Sequence, residues 1–424
     1  MEPEENLRPV YRSVALRILD RFFGPPSEAR FARRLADAIR RAGETNPIHI
    51  DAREFRLVSA GESSNVMNLG NLYGEYRAAS RGHRPVILHA FVRSWFDRYK
   101  EIPELYEDLG PDLLPTIRPR MFHESGRLEA MIAGSSPFSL PHRVVGEHYA
   151  GGLVYDLPQS MILVQGRHLD AWETDFDEAF EVACGNLREI SRHRWRTPAP
   201  GVMASPWGDH YDASRLLVLA DLIDRDEVAG DLIAMIPNRD TLLVTGSGDD
   251  EGLAALASLA EETLKKPRPL HGYPLCLRDD DWVPFVPEPD HPSAGSFRRL
   301  RIKSLARDYS EQASLLNELY RKTGDDAFLA GFSAMEHPRT GEAMSYSVWA
   351  EGVSTLLPET DRVFFFRPGG PRNGEVVASG DWDRVTQVAG HLMTALGTYP
   401  ERYRVEDFPT DAQLAEISDG SGTP

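Results

Sequence analysis

The densest polar cluster of the sequence lies between Trp207 and Leu217. It combines two aspartates, a histidine, a tyrosine and an arginine: Asp209, His210, Tyr211, Asp212 and Arg215. Arginine binds anions through a fork of N–H donors, and histidine and aspartate exchange protons with ligands. One interpretation is therefore an anion site at Arg215, with Asp209, His210 and Asp212 handling protons or a polar ligand.

The same residues also suit a capped helix. Asp209 or Asp212 is a good N-cap for a helix carrying Leu216, Leu217 and Leu219, and Arg215 can pair with a nearby aspartate. The sequence leaves both interpretations open.

A second polar group follows an apolar run, at Asn238, Arg239 and Asp240. Asn and Asp bond locally to backbone and are typical of turns. We expect this turn to face the helix that begins at Asp212, which would make both segments ligand-binding candidates.

These candidates sit on a strand–turn–strand–helix unit that recurs in the sequence, either as duplicated units or as a chance similarity of common arrangements of this kind. Its copies are marked by a proline that ends the first strand: Pro158, Pro237 and Pro358. Proline cannot donate to a sheet ladder, so it marks where pairing stops and the turn begins. The predicted helices cover about residues 175–190, 251–264 and 383–396. This pattern predicts an α+β fold of antiparallel sheets covered by helices.

Other motifs predict local structure and no chemistry. The Gly-rich run 245–252 has Asp249, Asp250 and Glu251 where a dinucleotide fingerprint needs glycine and an open helix N-terminus, so it predicts a helix cap. His142 and His148 lie six residues apart, which is weak as metal-ligand spacing. We therefore predict no catalytic residues, metal site or cofactor.

Two further segments receive structural interpretations. The Gly-rich segment 367–374 is read as a loop, and the basic cluster 192–195 as the stabilised end of a helix. The basic run Arg298–Arg307 is expected to enter a helix that reaches Tyr320.

The composition limits the partners. The 65 acidic and 47 basic residues give a formal net charge of −18. Such a surface repels phosphate backbones and anionic lipid, so we expect neither nucleic acid nor membrane as a partner. It accommodates a basic protein or a cationic ligand. The N-terminus lacks the apolar core of a secretory signal, and the cysteines, Cys184 and Cys276, form no disulfide framework, which predicts a cytoplasmic protein.

The predicted organisation has an α-rich N-terminal region with a hairpin (1–140), a central α+β domain (141–290), a C-terminal α+β domain (291–417) and a disordered tail (418–424). In the first region we expect helices over 27–41, 68–79 and 85–99, and a hairpin formed by 48–50 and 55–58. The Pro-rich segment 279–296 is the predicted linker.

Two ordered motifs carry a family resemblance. The segments 210–217 and 230–244 resemble the core of the YtpQ-like family of bacterial proteins, and 114–119 and 186–188 are similar to upstream segments of it. The match covers about residues 40–285, and 296–417 extends beyond it. The family is a domain of unknown function, so the resemblance implies a bacterial intracellular protein and supplies no reaction.

Two functional hypotheses follow. The first is a non-enzymatic binding or adaptor protein that engages a protein partner or a small ligand. The second is an enzyme of unrecognised class, such as a hydrolase, with its site at 209–215 and 238–240. The sequence specifies no oligomeric state.

Overall fold

The fold is taken from a computed structural model, which describes residues 25–59, 65–97, 102–135, 140–158, 160–192, 195–336, 342–369 and 374–418. The chain forms two compact units. One spans Met1–Pro103 and Asp156–Ile162, and the other spans Glu104–Tyr155 and Leu163–Pro424. The domain boundaries near residues 140 and 290 stay predictions.

The first unit packs three helices with a small sheet. Its elements are α1 (Glu28–Arg41), β1 (Ile48–Asp51), β2 (Arg56–Ser59), β3 (Asn65–Asn68), α2 (Gly70–Ala78) and α3 (Arg84–Asp97). The strands pair antiparallel in the order β1–β2–β3. The core includes Phe31 and Leu35 of α1 and Trp95 of α3. The hairpin and the helices at 27–41 and 85–99 are thus confirmed within the described residues, whereas the helix predicted from Asn68 begins only at Gly70, because 65–68 pairs as a strand.

The second unit begins with a sheet flanked by helices. Its elements are a 3-10 helix (Tyr106–Asp112), β4 (Leu113–Pro119), α4 (Arg120–Ala133), β5 (Arg143–Val145), most of β6 (Tyr149–Leu157), α5 (Gly166–Ala171) and α6 (Phe176–Glu189). The last two residues of β6 and nearly all of β7 (Ser160–Leu163) belong to the segment Asp156–Ile162 of the first unit. Strands β4 and β5 both pair antiparallel with β6. The helix predicted at 175–190 is therefore confirmed as α6, with Asp175 as its N-cap.

A six-stranded antiparallel sheet forms the centre of this unit. Its elements are β8 (Arg196–Ala199), β9 (Val202–Ala204), two 3-10 helices (Ala213–Asp221 and Arg225–Glu227), β10 (Leu232–Asn238), β11 (Thr241–Gly246), α7 (Asp250–Thr263), β12 (Leu275–Arg278) and β13 (Asp281–Pro284). The strand order is β13–β12–β10–β11–β9–β8. Strand β10 sends Leu232, Ala234 and Ile236 to one core and Ile233 and Met235 to the other. A strand covered on both faces is apolar throughout, as this one is.

The middle repeat is confirmed as a unit. Strands β10 and β11 form an antiparallel hairpin, and α7 packs against both. Asp249 caps α7, since its carboxylate accepts a hydrogen bond from the N–H of Gly252 at 2.8 Å. Part of the predicted linker is wrong, because 281–284 forms β13 and pairs with β12.

The remaining part of the chain begins with a long helix and ends in two mixed sheets. Its elements are α8 (Ala294–Thr323), β14 (Phe328–Leu329), β15 (Ser333–Glu336), β16 (Ala343–Ala350), β17 (Thr355–Pro358), β18 (Arg362–Arg367), β19 (Glu375–Asp381), α9 (Trp382–Ala389), a 3-10 helix (Gly390–Leu392), β20 (Met393–Ala395), β21 (Arg402–Val405) and α10 (Asp411–Ile417). The sheet orders are β14–β17–β21–β20 and β15–β16–β18–β19. The α+β class is confirmed.

The prediction that the third repeat forms a hairpin is wrong. Strand β17 pairs with β14 and β21, whereas β18 pairs with β16 and β19. Asp361 joins the turn after β17 to strand β16, since its carboxylate accepts from the N–H and the hydroxyl of Ser345, at 2.7 and 2.9 Å. Strand β19 also intervenes before α9, and the β14–β17 and β16–β18 pairs are parallel rather than antiparallel.

Further predictions concern the helix after the basic run and the segments that lie outside the described residues. The helix entered by the basic run is confirmed, as α8 covers 294–323. The predicted disordered tail lies outside the described residues from 419 onward, as do residues 193–194 and 370–373 of two other predicted motifs.

Candidate functional site

Arg215 is the anchor of the polar cluster at 207–217, and it is fully buried. Its guanidinium donates to both carboxylate oxygens of Asp209, at 2.8 and 2.6 Å, and its Nε donates to the hydroxyl of Ser191 at 2.8 Å. The ring of Trp207 lies 4.1 Å from the guanidinium carbon. Partial burial alone would raise the pKa of Asp209, but the paired Arg215 holds that pKa below its usual value.

Asp212 and Tyr211 are also buried, beside the start of the 3-10 helix. Asp212 accepts from the N–H of Gly208 at 2.9 Å, which fixes the entry into the helix. Burial, reinforced by the charge of Asp209, raises the pKa of Asp212. Neither side chain is open to solvent.

The turn at 238–240 faces this helix start, as expected. The N–H of Ala213 donates to the carbonyl of Arg239 at 3.1 Å, and Nδ1 of His210 lies 2.9 Å from Asp240 Oδ1. Asn238 shapes the turn, because its side-chain oxygen accepts from the N–H of Asp240 at 2.8 Å. Burial alone would raise the pKa of Asp240, yet His210 and Arg239 together hold it lower.

The structure thus brings all eight predicted residues into one neighbourhood, where they bond chiefly to one another. Arg215 forms an ion pair with Asp209, and His210 pairs with Asp240. This geometry is that of a helix start and a turn held by local ion pairs. A ligand-binding role for these residues stays a prediction.

A different place in the second unit has the shape of a binding site. A cavity of about 460 Å³, here called the acidic cavity, opens beside α8. Seven further segments complete its wall: the start of α4, the β5–β6 turn, β16, the β17–β18 turn, the end of β19, the start of α9 and the loop before β21. Six carboxylates and two arginines line it: Glu147, Glu359, Asp361, Asp381, Asp383, Glu401, Arg120 and Arg301.

Three of these six carboxylates have protein partners. Asp361 is held by Ser345, Asp381 lies 3.2 Å from the guanidinium of Arg362, and Glu401 accepts from the N–H groups of Leu396, Gly397 and Arg402. The carboxylates of Glu147, Glu359 and Asp383 accept no hydrogen bond from any residue that the structure describes. With six carboxylates and two arginines in its lining, the cavity wall carries more negative than positive charge.

Glu359 is held in place by its backbone. Its N–H donates to the hydroxyl of Tyr309 at 3.1 Å, and that hydroxyl donates to the carbonyl of Glu401 at 2.8 Å. The side chain is reachable from the cavity, yet the surrounding protein shields enough of it from water to raise its pKa. The charges of Glu147, Asp383 and Glu401 add to this rise, and Arg301 opposes it.

His148 contributes a neutral acceptor to the same wall. It is 5% exposed, and its Nδ1 lies 3.0 Å from the hydroxyl of Tyr399. Its Nε2 lies 3.9 Å from Glu147 Oε1, beyond hydrogen-bond distance, and has no hydrogen-bond partner among the described residues. Burial, with the nearby His271, Arg301 and Arg120, lowers the pKa of His148 to about 3, so the ring is neutral near pH 7.

Behind His148, a buried polar chain supports the ring. The ring stacks on Tyr273, with centroids 3.7 Å apart. The hydroxyl of Tyr399 also lies 3.4 Å from Asp308, and Asp308 lies 3.1 Å from His271 Nε2. Asp308 and His271 are both almost fully buried. The chain fixes the orientation of His148 from the protein interior.

Sequence reasoning missed the acidic cavity. Its wall comes from eight segments spread between Arg120 and Glu401, so no local motif announces it. The one local signal is the run of Asp381, Trp382 and Asp383 at the start of a predicted helix, which also suits simple capping. The sequence suggests His148 only as a weak metal-ligand candidate. In the described part of the chain, no group of three or more His, Cys, Asp or Glu side chains has an arrangement that would hold a metal ion.

Comparison with protein-family models, curated proteins and solved structures finds no significant match. The YtpQ-like resemblance therefore stays a prediction. None of the helices in the described ranges combines the length and the apolar character that a membrane span requires.

Proposed function

We propose that this chain is a non-enzymatic binding protein and that its ligand is a small organic cation held in the acidic cavity. One observation carries the proposal: the carboxylates of Glu147, Glu359 and Asp383, which accept no hydrogen bond from the described residues, share a cavity with the Nε2 of His148, which has no hydrogen-bond partner among those residues. Carboxylates held near one another repel each other, and a bound cation relieves that repulsion.

The acceptors also favour a particular kind of cation. Carboxylate oxygens and a neutral imidazole nitrogen all accept hydrogen bonds. A primary ammonium or a guanidinium supplies several N–H donors, whereas a quaternary ammonium supplies none. The cavity of about 460 Å³ is far larger than a bare metal ion and suits a small organic molecule. The ligand class is therefore a primary amine or a guanidine in its charged form.

The hypotheses of an adaptor protein and of an enzyme have less support. The cluster at 209–215 and the turn at 238–240 bond to one another, which gives a reaction there no specific support. Membership of the YtpQ-like family, a bacterial origin and a cytoplasmic location remain proposals that rest on the sequence motifs and the acidic composition.

Calorimetric titration of the full chain with n-butylammonium tests the proposal. We expect saturable binding at about pH 7. Glu359→Gln should weaken it about tenfold or more, because a hydrogen bond to a charged group is worth about 1.5–3 kcal/mol. Asp383→Asn should weaken it similarly.

The matched control is Glu129→Gln, an exposed glutamate on α4 that does not line the cavity. It should bind like the native chain. Tetramethylammonium should bind more weakly than n-butylammonium, and butyrate should not bind. Absence of n-butylammonium binding, or equal binding by the Glu359 and Glu129 variants, would refute the proposal.

A further inference from the structure

A second depression, here called the apolar groove, lies along the first turns of α8. Its volume is about 260 Å³, and its wall is formed by the Pro-rich segment after β13 and by α8. Its apolar lining residues include Phe285, Val286 and Phe297. Val286 is 73% exposed, although valine is usually buried. The segment predicted as a linker thus builds a surface that can cover an apolar molecule.

The apolar groove adjoins the acidic cavity. Arg301 and Asp361 line both. Helix α8 runs past the two, since Phe297 and Arg298 line the groove while Ile302 and Tyr309 line the cavity. From Phe297 to Tyr309 the helix advances about 18 Å at 1.5 Å per residue. Both depressions therefore lie along one stretch of the same helix.

Arg301 is the movable part of the boundary. Its side chain is exposed and forms no ion pair or hydrogen bond with the residues that the structure describes. A long side chain with no partner keeps its rotamer freedom, so it can turn aside at little cost. Asp361, by contrast, is fixed by Ser345.

We propose that the natural ligand carries an apolar arm, so that its charged head occupies the acidic cavity while the arm lies in the apolar groove past Arg301. This inference rests on the proposed cation binding and adds the ligand class: an arylalkylamine or alkylguanidine rather than a short polar amine. Charge complementarity places the head, and the shared lining residues Arg301 and Asp361 give the direction of the arm.

Titration with a pair of amines tests this. We expect 4-phenylbutylammonium to bind about tenfold or more tightly than n-butylammonium, because burying a phenyl ring removes apolar surface from water. Val286→Asn removes an exposed apolar contact without opening the core. Gly295→Leu fills the groove: a Cβ at Gly295 has only the Arg299 guanidinium nearby, at 3.6 Å, and leucine favours the helix.

Both variants should lose most of the preference for the phenyl compound and keep the native affinity for n-butylammonium. The inference is overturned if the two amines bind equally to the native chain, or if the preference survives in both variants. In either case n-butylammonium still binds and still depends on Glu359. Failure of the cation proposal looks different, since neither amine then binds.

Discussion

At the scale of single residues, Glu359 links the proposed cation binding to the stability of the fold. It stands among Glu147, Asp383 and Glu401 with no hydrogen-bond donor for its carboxylate among the described residues. Nearby carboxylates destabilise the folded state when all are ionised. A binding site for a cation is expected to carry such a cost in the absence of ligand, because the same charges attract the ligand.

The pH dependence of stability follows from the raised pKa of Glu359. The unfolded carboxyl ionises first as pH rises, which favours the unfolded state, and the loss is complete above the folded pKa. Glu359→Gln removes this loss. We therefore expect the variant to have a higher free energy of unfolding than the native chain at about pH 7, and no advantage below the unfolded pKa of about 4.3.

Urea denaturation at several pH values measures this difference, with Glu129→Gln as the neutral control. Added n-butylammonium should stabilise the native chain more than the Glu359 variant at the same concentration. A Glu359 variant less stable than the native chain at neutral pH would contradict the account of the cavity charges.

For single residues, the sequence predicted which side chains of the polar cluster meet, but it did not predict what they do there. Asp209, Arg215 and the turn at Asn238 do meet, because cap and turn residues act over short, readable distances. The burial of Arg215 could not be predicted from the sequence. Its complete burial against Trp207 and Ser191 depends on packing between distant segments.

Elements were predictable where local pattern and tertiary pairing agree. Helices α1, α6, α7 and α8 and the β10–β11 hairpin follow from apolar periodicity, caps and a marked turn. The prediction for the third repeat failed because the pairing of a strand depends on all the strands of its sheet, and not only on the strand next to it in sequence. Strand β18 alternates buried Val363 and Phe365 and pairs on both sides, with β16 and β19. The turn after Pro358 therefore leads from one sheet to the other.

The junction of β19 with α10 provides a test at the element scale. A Cβ added at Gly380 would lie 2.5 Å from Ile417 Cγ2 and 2.9 Å from the Ile417 carbonyl oxygen. Gly380→Ala should therefore push α10 from the sheet and lower the free energy of unfolding by about 1–3 kcal/mol.

The matched control is Gly390→Ala, where no atom lies within 4 Å of the added Cβ. Its stability should equal or slightly exceed that of the native chain, since alanine restricts the unfolded chain. Equal stability of the two variants in urea denaturation would show that the packing of α10 on β19 is looser than described.

On the scale of the whole molecule, the net charge of −18 is compatible with the proposed cationic ligand but does not indicate where it would bind. Excess acidic residues usually serve solubility. The cavity becomes visible only when α4, α8 and the C-terminal strands of the second unit are assembled, because each contributes only a few residues to the wall. Composition could suggest a cation, while only the fold shows where unpaired carboxylates converge.

The most direct test of the cation site is a crystal structure of the full chain grown with 4-iodobenzylammonium, whose iodine is located by anomalous scattering. The account predicts the iodine in or beside the acidic cavity, and the ammonium within hydrogen-bond distance of Glu359 and of His148 Nε2. An empty cavity with the compound bound elsewhere, or a bound anion in its place, would contradict it.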